Sequence, residues 1–495
     1  MSHTTDRARR LLAPALVALI ASAPSAAAQT AQPVSHAAGK VPISTVSAQA
    51  RADFLTGRTL VENLRAHESR EFMLKAIAKD PNFAMAHLNL ANSAPTAKEF
   101  FDHLGHAVAL ADKASPGERL IILGAQAGAN ADPAKQLELY TRLVKEFPQD
   151  ERAHFLLGGT YFGSQDYAKA IEEYRRATTI APDYAPAYNI MGYAYRTAGQ
   201  YPEAEEAFKK YIELIPKDPN PYDSYAELLM KTGRFDESIA QYRKALELNP
   251  QFAPSYIGIA SNLMFQGKYD DSRAEAKKLY DGARNDGEKR AAMFQTTVTY
   301  VEEGKTDLAL AELDKQYALG AAIGDAAAMG GDATFMGNIL LEAGKPAEAQ
   351  KRFDQALQVV EKSELDAEVK ENARLIHRFN TARVALAGGD LAKAATEGDA
   401  FLRASEAKKN RFQIRLGHEV AGSIALVRKD YDAALSHLAQ ANQQDPYNLY
   451  RLGVAYKGKG DKAKAKEMFK KAVEFNQLPT LNSAFVRAKA GKHKV

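Results

Sequence analysis

The 495-residue sequence contains no cysteine. This absence excludes disulfides, thiolate nucleophiles, cysteine-based zinc sites and a lipid anchor on an N-terminal cysteine. A long chain without disulfides must be held together by packing alone. An array of stacked repeats achieves this at any length, so a repeat architecture fits the composition.

A strong excess of one charge is also absent. Lys and Arg total 65 and Asp and Glu total 61, which leaves a net charge of +4. Proteins that bind nucleic acid concentrate basic residues on one face, and so small an excess, spread along the chain, gives no such footprint. The sequence therefore predicts no nucleic-acid partner. Its 46% hydrophobic and 25% charged residues are typical of a folded soluble protein.

Apolar runs long enough to cross a membrane are missing too. The run from Leu11 to Ala21 has 11 residues, against roughly 20 needed for a spanning helix. It follows a basic start and precedes the small residues Ser25 to Ala28, which is the pattern of a secretory signal peptide. We predict a signal peptide over 1–28, a flexible leader over 29–49 and an exported protein, periplasmic in a Gram-negative cell or secreted, with no integral membrane segment after signal removal.

A period of 34 residues dominates the middle of the chain. Four prolines share this spacing: Pro148, Pro182, Pro216 and Pro250. Aromatic residues recur in the same phase, and so do small residues: Tyr167, Tyr201, Phe235 and Tyr269, then Ala170, Ala204, Ser238 and Ser272. Each unit carries two amphipathic helical patterns separated by a short turn. One such helix pair cannot bury its own apolar faces, so neighbouring pairs must stack.

This pattern resembles the tetratricopeptide repeat family, whose unit is a 34-residue helix-turn-helix with small and aromatic residues at set positions. The best units are 151–184, 185–218 and 219–252. The resemblance implies an all-α superhelical solenoid of about nine to eleven repeats. It predicts an N-terminal array over 50–286, strongest over 117–252, degenerate helical repeats over 287–414, further repeats over 415–479, and a capping helix with one wet face and a basic tail over 480–495. We interpret the segment Gly320 to Gly331 as a loop between repeats.

The resemblance also implies a function. In this family the concave face is lined by residues of the first helix of each repeat, and a mixed apolar and polar surface of this kind suits peptide segments. We therefore predict a non-catalytic scaffold that binds partner proteins there. The alternative is an assembly factor for envelope secretion or polysaccharide-export machinery. The predicted groove residues are Phe155, Phe162, Asn189, Tyr193, Arg196, Asp223, Glu227 and Met230, with Lys231 on the same face.

Residues that would carry enzymatic chemistry are sparse. His103 and His106 form a close histidine pair at helical spacing, and a metal would need a third ligand from elsewhere. The zinc-hydrolase motif H-E-x-x-H and the nucleophile motif G-x-S-x-G do not occur. A metal-dependent enzyme is thus the third and weakest interpretation, and we predict no catalytic residue, metal or cofactor.

Overall fold

The computed structural model describes residues 39–63, 65–94, 97–130, 132–365 and 367–492. These ranges belong to one compact unit that begins at Gly39. The predicted signal peptide over 1–28 and the first part of the predicted leader lie outside the described residues.

Helices are the dominant secondary structure of the described ranges, which contain 25 α-helices and no strand. The first eight are α1 (Ala48–Glu62), α2 (Ala66–Lys79), α3 (Ala84–Asn92), α4 (Ala97–Ala109), α5 (Pro116–Ala129), α6 (Pro133–Glu146), α7 (Glu151–Gly163) and α8 (Tyr167–Ile180), with a 3-10 turn at Ala111–Lys113. The next eight are α9 (Ala185–Thr197), α10 (Tyr201–Leu214), α11 (Asn220–Lys231), α12 (Phe235–Leu248), α13 (Ala253–Phe265), α14 (Tyr269–Asp281), α15 (Asp286–Glu302) and α16 (Thr306–Ala322). The last nine are α17 (Ala326–Glu342), α18 (Pro346–Glu361), α19 (Ala367–Ala387), α20 (Leu391–Ala407), α21 (Arg411–Val427), α22 (Tyr431–Gln440), α23 (Pro446–Gly458), α24 (Lys462–Val473) and α25 (Leu481–Gly491).

Consecutive helices pack as antiparallel pairs, and successive pairs stack into an all-α solenoid of helix-turn-helix units. The small residue of the first helix lets the aromatic residue of the second helix approach closely. A Cβ added at Gly192 would lie only 2.7 Å from the ring of Phe208, which is itself fully buried. Gly199 has a φ of +79° in the turn between these helices, a conformation that glycine adopts without strain.

The described residues form twelve helix pairs followed by α25, one more than the highest predicted number. One of these pairs, α3 and α4, is short and lies in a stretch where the 34-residue pattern is not evident. The predicted degenerate region over 287–414 contains three pairs whose helices have 16 to 21 residues. The first helices of these pairs begin at 286, 326 and 367, and that of the next pair at 411, so each pair is longer than the 34-residue unit, which explains why the sequence period weakens there.

The described part of the predicted leader is not a free segment. The backbone N–H of Val41 donates to Asp150, at the start of α7, over 2.9 Å. The N–H of Ser44 donates to Glu118 in the first turn of α5 over 3.1 Å, and the Thr45 hydroxyl donates to Asp80 over 2.6 Å. The segment 39–47 is therefore held in place by hydrogen bonds to carboxylates at the ends of three helices. The prediction of a flexible leader over 29–49 is corrected for these residues.

The predicted loop from Gly320 to Gly331 is also corrected. Helix α16 runs to Ala322 and α17 begins at Ala326, so only a short turn separates them. Of the glycines in this segment, Gly320 lies in α16, Gly330 and Gly331 lie in α17, and Gly324 lies in the turn. A Cβ at Gly330 would lie 3.0 Å from the side chain of Val360, so this glycine permits close helix packing where the sequence suggested a turn.

The C-terminal helix α25 differs from the predicted capping helix. It packs on α23 and α24, as a cap does, but it also contacts α15 and α17 from the middle of the array. Leu481, Ala484 and Phe485 are buried against Met264 and Met336. The predicted wet face is largely covered by this second contact. The last three residues of the predicted tail, 493–495, lie outside the described residues.

Candidate peptide-binding site on the inner face

The first helices of successive pairs form one continuous face of the solenoid. Helix α9 contacts α11, α11 contacts α13, and α13 contacts α15. This arrangement brings all of the predicted groove residues onto neighbouring helices. We call this surface the inner face, defined by α7, α9, α11, α13, α15 and α17.

Three of the predicted groove residues are buried between these helices. Asn189 donates to Asn220 over 3.4 Å. The Ser255 hydroxyl donates to Asp223 over 2.6 Å. Met230 is fully buried. Asn189 and Asp223 therefore join consecutive repeats, and the side chains of all three residues are buried in this structure. This corrects their placement on an open groove: Asn189 and Asp223 make hydrogen bonds across the repeat boundary, although the Oδ1 of Asn189 is buried with no hydrogen-bond partner in the described ranges.

Tyr193, Arg196 and Glu227 form a second contact between repeats, and it is partly accessible. The Tyr193 hydroxyl donates to Glu227 over 3.1 Å, and the Arg196 guanidinium pairs with the same carboxylate over 2.8 Å. The Arg196 guanidinium also stacks on the Tyr193 ring at 4.7 Å.

Burial raises the pKa of Asp223, one helical turn before Glu227, to about 8, with the Glu227 charge as a second cause. Its burial thus favours the neutral form of the Asp223 carboxyl group.

The two predicted phenylalanines lie on α7 and are half-buried. Phe155 contacts the rings of Tyr174 and Tyr184, with centroids 5.8 and 5.6 Å away. Phe162 contacts Tyr167 at 5.5 Å. Both therefore contribute to packing within the array, and their role in peptide binding stays a prediction.

The last repeat, α23 to α25, folds back onto the inner face. The Lys231 ammonium lies 3.5 Å from the centroid of the Phe475 ring. The Tyr447 hydroxyl donates to Glu342, at the end of α17, over 2.8 Å, and Lys489 pairs with the same carboxylate. These contacts join residues more than 100 positions apart in sequence.

A cavity of about 950 Å³ opens between the ends of the inner-face helices and the last repeat. One wall comes from the turns after α9 and α11, and the other from residues 443–477. Of the predicted groove residues, Arg196 and Lys231 line this cavity. The apolar part of its lining is Tyr201, Phe235, Leu449, Met468, Val473 and Phe475, and its charged part is Arg196, Lys231, Lys471, Glu474 and Arg487.

The charged part of the lining is mainly basic. Arg196 is neutralised by Glu227, and Lys471 pairs with Glu467 over 2.6 Å. Lys231 makes no ion pair or hydrogen bond with any residue in the described ranges. Burial, and secondarily the neighbouring Arg196 charge, lower the pKa of Lys231 to about 8. The cavity thus holds an uncompensated cation beside aromatic and aliphatic side chains.

The predicted histidine pair gains a third member from α3. The rings of His87 and His106 lie 5.4 Å apart, and that of His103 lies 6.3 Å from His87. Burial lowers the pKa of both His87 and His103. Within the described part of the chain, no group of three His, Asp or Glu side chains is placed to hold a metal ion.

In the same ranges, no helix combines the length and apolar character required to cross a bilayer.

Sequence reasoning missed the second wall of the cavity. Residues 443–477 were predicted as ordinary C-terminal repeats, and nothing in their local pattern indicates contact with α9 and α11. The signal that could have suggested it is the surplus of apolar residues after the last turn, at Phe475, Leu481 and Phe485. A terminal capping helix that exposes one face to water carries apolar residues only on its other face, so this number of apolar residues indicates a second contact.

Comparison with known proteins gives a consistent family. Models of the tetratricopeptide repeat match residues 149–217, 219–252, 336–408 and 446–477. No curated protein matches the chain.

Solved structures are similar over part of the chain. A tetratricopeptide repeat protein from Parabacteroides merdae is 16% identical, with 53% of this chain and 98% of that chain covered and a TM-score of 0.39. A thermophilic repeat protein of Thermus thermophilus is 21% identical, with coverage of 43% and 98% and a TM-score of 0.29. YrrB, titled a repeat protein with an unusual peptide-binding site, is 19% identical, with coverage of 36% and 91% and a TM-score of 0.27. The four family matches and the stacked helix pairs show that this chain is a tetratricopeptide repeat protein, a member of a family whose arrays are generally non-catalytic scaffolds for protein interaction.

Proposed function

We propose that the protein binds peptide segments of partner proteins in the cavity between the inner face and the last repeat. The observation that carries this proposal is the mixed lining of that cavity. Its volume of about 950 Å³ lies at the upper end of the usual range for ligand pockets, about 300–1,000 Å³. The apolar side chains would supply affinity, and the charged side chains would fix the register of the peptide.

One wall of the cavity consists of the short turns after α9 and α11, and the other belongs to the packed last repeat. Because both walls are held by packed helices, little conformational entropy would be lost on the protein side when a peptide binds. The uncompensated charge of Lys231 favours a segment that carries a carboxylate next to an apolar side chain. An unpaired charge in a half-buried position is costly, and a ligand carboxylate would remove that cost.

A charge reversal at the rim tests this proposal. Lys471 is exposed and lines the cavity, whereas its neighbour Lys470 is exposed and lies outside it. Peptides selected from a random display library on the wild type should bind the Lys471→Glu variant about tenfold more weakly, since reversing one charged contact is worth about 1.4 kcal/mol. The Lys470→Glu variant is the matched control and should bind them like the wild type. Binding is measured by isothermal titration calorimetry.

Two outcomes would contradict the proposal. The first is that the library yields no binding peptide at all. The second is that the selected peptides lose the same affinity in both variants, because their binding would then depend on general charge and not on the cavity.

We also propose that the protein is exported, since the pattern of residues 1–28 is that of a signal peptide. Expressed in a Gram-negative host, the chain should appear in the periplasm with Gln29 as its first residue, as read by intact mass. A variant that lacks residues 1–28 should stay in the cytoplasm. A full-length chain in the cytoplasm would contradict export and, with it, the alternative role as an assembly factor for envelope machinery.

A further inference from the structure

Helix α25 lies in an apolar groove on the inner face. Its residues Leu481, Ala484 and Phe485, spaced as i, i+3 and i+4, are buried in one cluster with Met264 of α13, Val298 of α15 and Met336 of α17. We call the surface formed by α13, α15 and α17 the α25 groove. The spacing of the three apolar residues is that of an amphipathic helix bound in a groove.

Acidic residues flank the α25 groove and face the basic residues of the helix. The Arg487 guanidinium stacks on Phe265 at 4.3 Å, and its Nε lies 3.2 Å from Glu302. Lys489 pairs with Glu342. The helix that lies in the groove thus has an apolar stripe followed by two basic residues that face acidic partners.

The polar part of this contact is imperfect. The Nε of Arg487 and the Oε2 of Glu302 are both buried and have no hydrogen-bond partner within the described ranges. Burial raises the pKa of Glu302 to about 7, against the opposing effect of Arg487. Buried polar atoms without partners cost free energy. The free energy with which α25 packs in the groove is thus less favourable than its apolar contacts alone would give.

The helix itself is also short. It has 11 residues, fewer than the roughly 12 to 15 at which isolated helices become stable in water. Its order therefore depends on the surfaces around it. A partner helix that offers the same apolar stripe and better-aligned basic groups would compete for the groove.

We propose that the α25 groove is a binding site for an amphipathic, basic helix of a partner protein, and that α25 occupies it as a displaceable internal ligand. The proposal extends the proposed function, because it adds a second surface to the scaffold and names the chemistry of its partner. The pattern it recognises is that of residues 481–489: Leu, Ala and Phe at i, i+3 and i+4, then Arg and Lys at i+6 and i+8.

The test uses a fluorescein-labelled synthetic peptide with the sequence of residues 478–492 and the full-length chain. The Phe485→Ala variant weakens the internal ligand, so it should bind the labelled peptide about tenfold more tightly than the wild type in fluorescence anisotropy. Phe412→Ala removes an exposed phenylalanine from α21 and is the matched control, with binding like that of the wild type. Arg487→Gln is a second way to weaken the internal ligand should Phe485→Ala unfold the last repeat.

A charge reversal locates the bound peptide. Added to either weakened variant, Glu302→Lys should abolish binding of the peptide, and a peptide with Glu in place of Arg487 should restore it. Equal binding by the wild type and both weakened variants would overturn the proposal, as would binding that ignores residue 302. A wild-type dimer that dissociates when peptide is added would assign the groove to a second copy of this chain and also overturn it. These outcomes are separate from the selection at Lys471, which can succeed while this test fails.

Discussion

Gly124→Ala should lower the free energy of unfolding by about 2–3 kcal/mol, near the upper end of the usual cost of overpacking. A Cβ at this position would lie 2.1 Å from the ring of Tyr140, which is buried between α5 and α6. The ring has no room to move in a close-packed interior, so the two helices must separate. The expected result is a clear fall in the melting temperature followed by circular dichroism.

The matched control is the same substitution at Gly331. This glycine lies inside α17, and no atom lies within 4 Å of its added Cβ. Gly331→Ala should therefore stabilise the protein by up to about 1 kcal/mol, since alanine is the better helix former. If Gly331→Ala destabilised the protein as strongly as Gly124→Ala, the helical assignment of this segment would be wrong. If both were neutral, the close approach of the repeat helices would be wrong.

Asp223→Asn should stabilise the protein by an amount that grows with pH. Burial raises the pKa of Asp223 to about 8 in the folded chain, whereas in the unfolded chain it is about 3.9. Between these values the unfolded state releases a proton that the folded state retains, so the wild type loses stability as pH rises. The loss should amount to about 2–4 kcal/mol between pH 5 and pH 8. Asparagine has no proton to lose and avoids this loss.

The measurement is the difference in melting temperature between Asp223→Asn and the wild type at pH 5 and at pH 8. Asp271→Asn, on the exposed first turn of α14, serves as the control for replacing a carboxylate that is not buried. A pH-independent difference for Asp223→Asn would show that the Asp223 carboxyl is ionised in the folded state, contrary to its buried position beside Ser255 and Glu227.

The repeat fold could be predicted because its determinants are local. The 34-residue period fixes which residues pair within a helix pair, as in Gly192 with Phe208, and neighbouring pairs repeat the same contact. The prediction of a loop from Gly320 to Gly331 was wrong because glycine has two structural roles. It favours turns through its backbone freedom, and it favours close helix packing through its missing side chain. Sequence spacing alone does not separate these roles.

The candidate site was predicted only in part. Helical periodicity placed Arg196 and Lys231 on one face, and both line the cavity; their role in binding a peptide stays a prediction. Asn189 and Asp223 were placed on that face too, but the sequence does not show that they are buried and hydrogen-bonded to Asn220 and Ser255 of the next repeat. The second wall depends on the angle between successive repeats, which accumulates over many pairs and sets where the last repeat lies. The local sequence pattern of each repeat does not predict this accumulated angle.

Both proposed sites depend on closure of the last repeat onto the inner face. Zero-length carbodiimide coupling of the wild-type protein, read by mass spectrometry, tests it directly, since this reagent joins a lysine only to a carboxylate in contact with it. We expect a link between Lys489 and Glu342, which pair across the closed array. The link between Lys79 and Asp53, which pair within one helix pair over 2.6 Å, should form in either case. If Lys489 links only to carboxylates of its own repeat while Lys79 and Asp53 are joined, the last repeat does not fold back, and the closed site is contradicted.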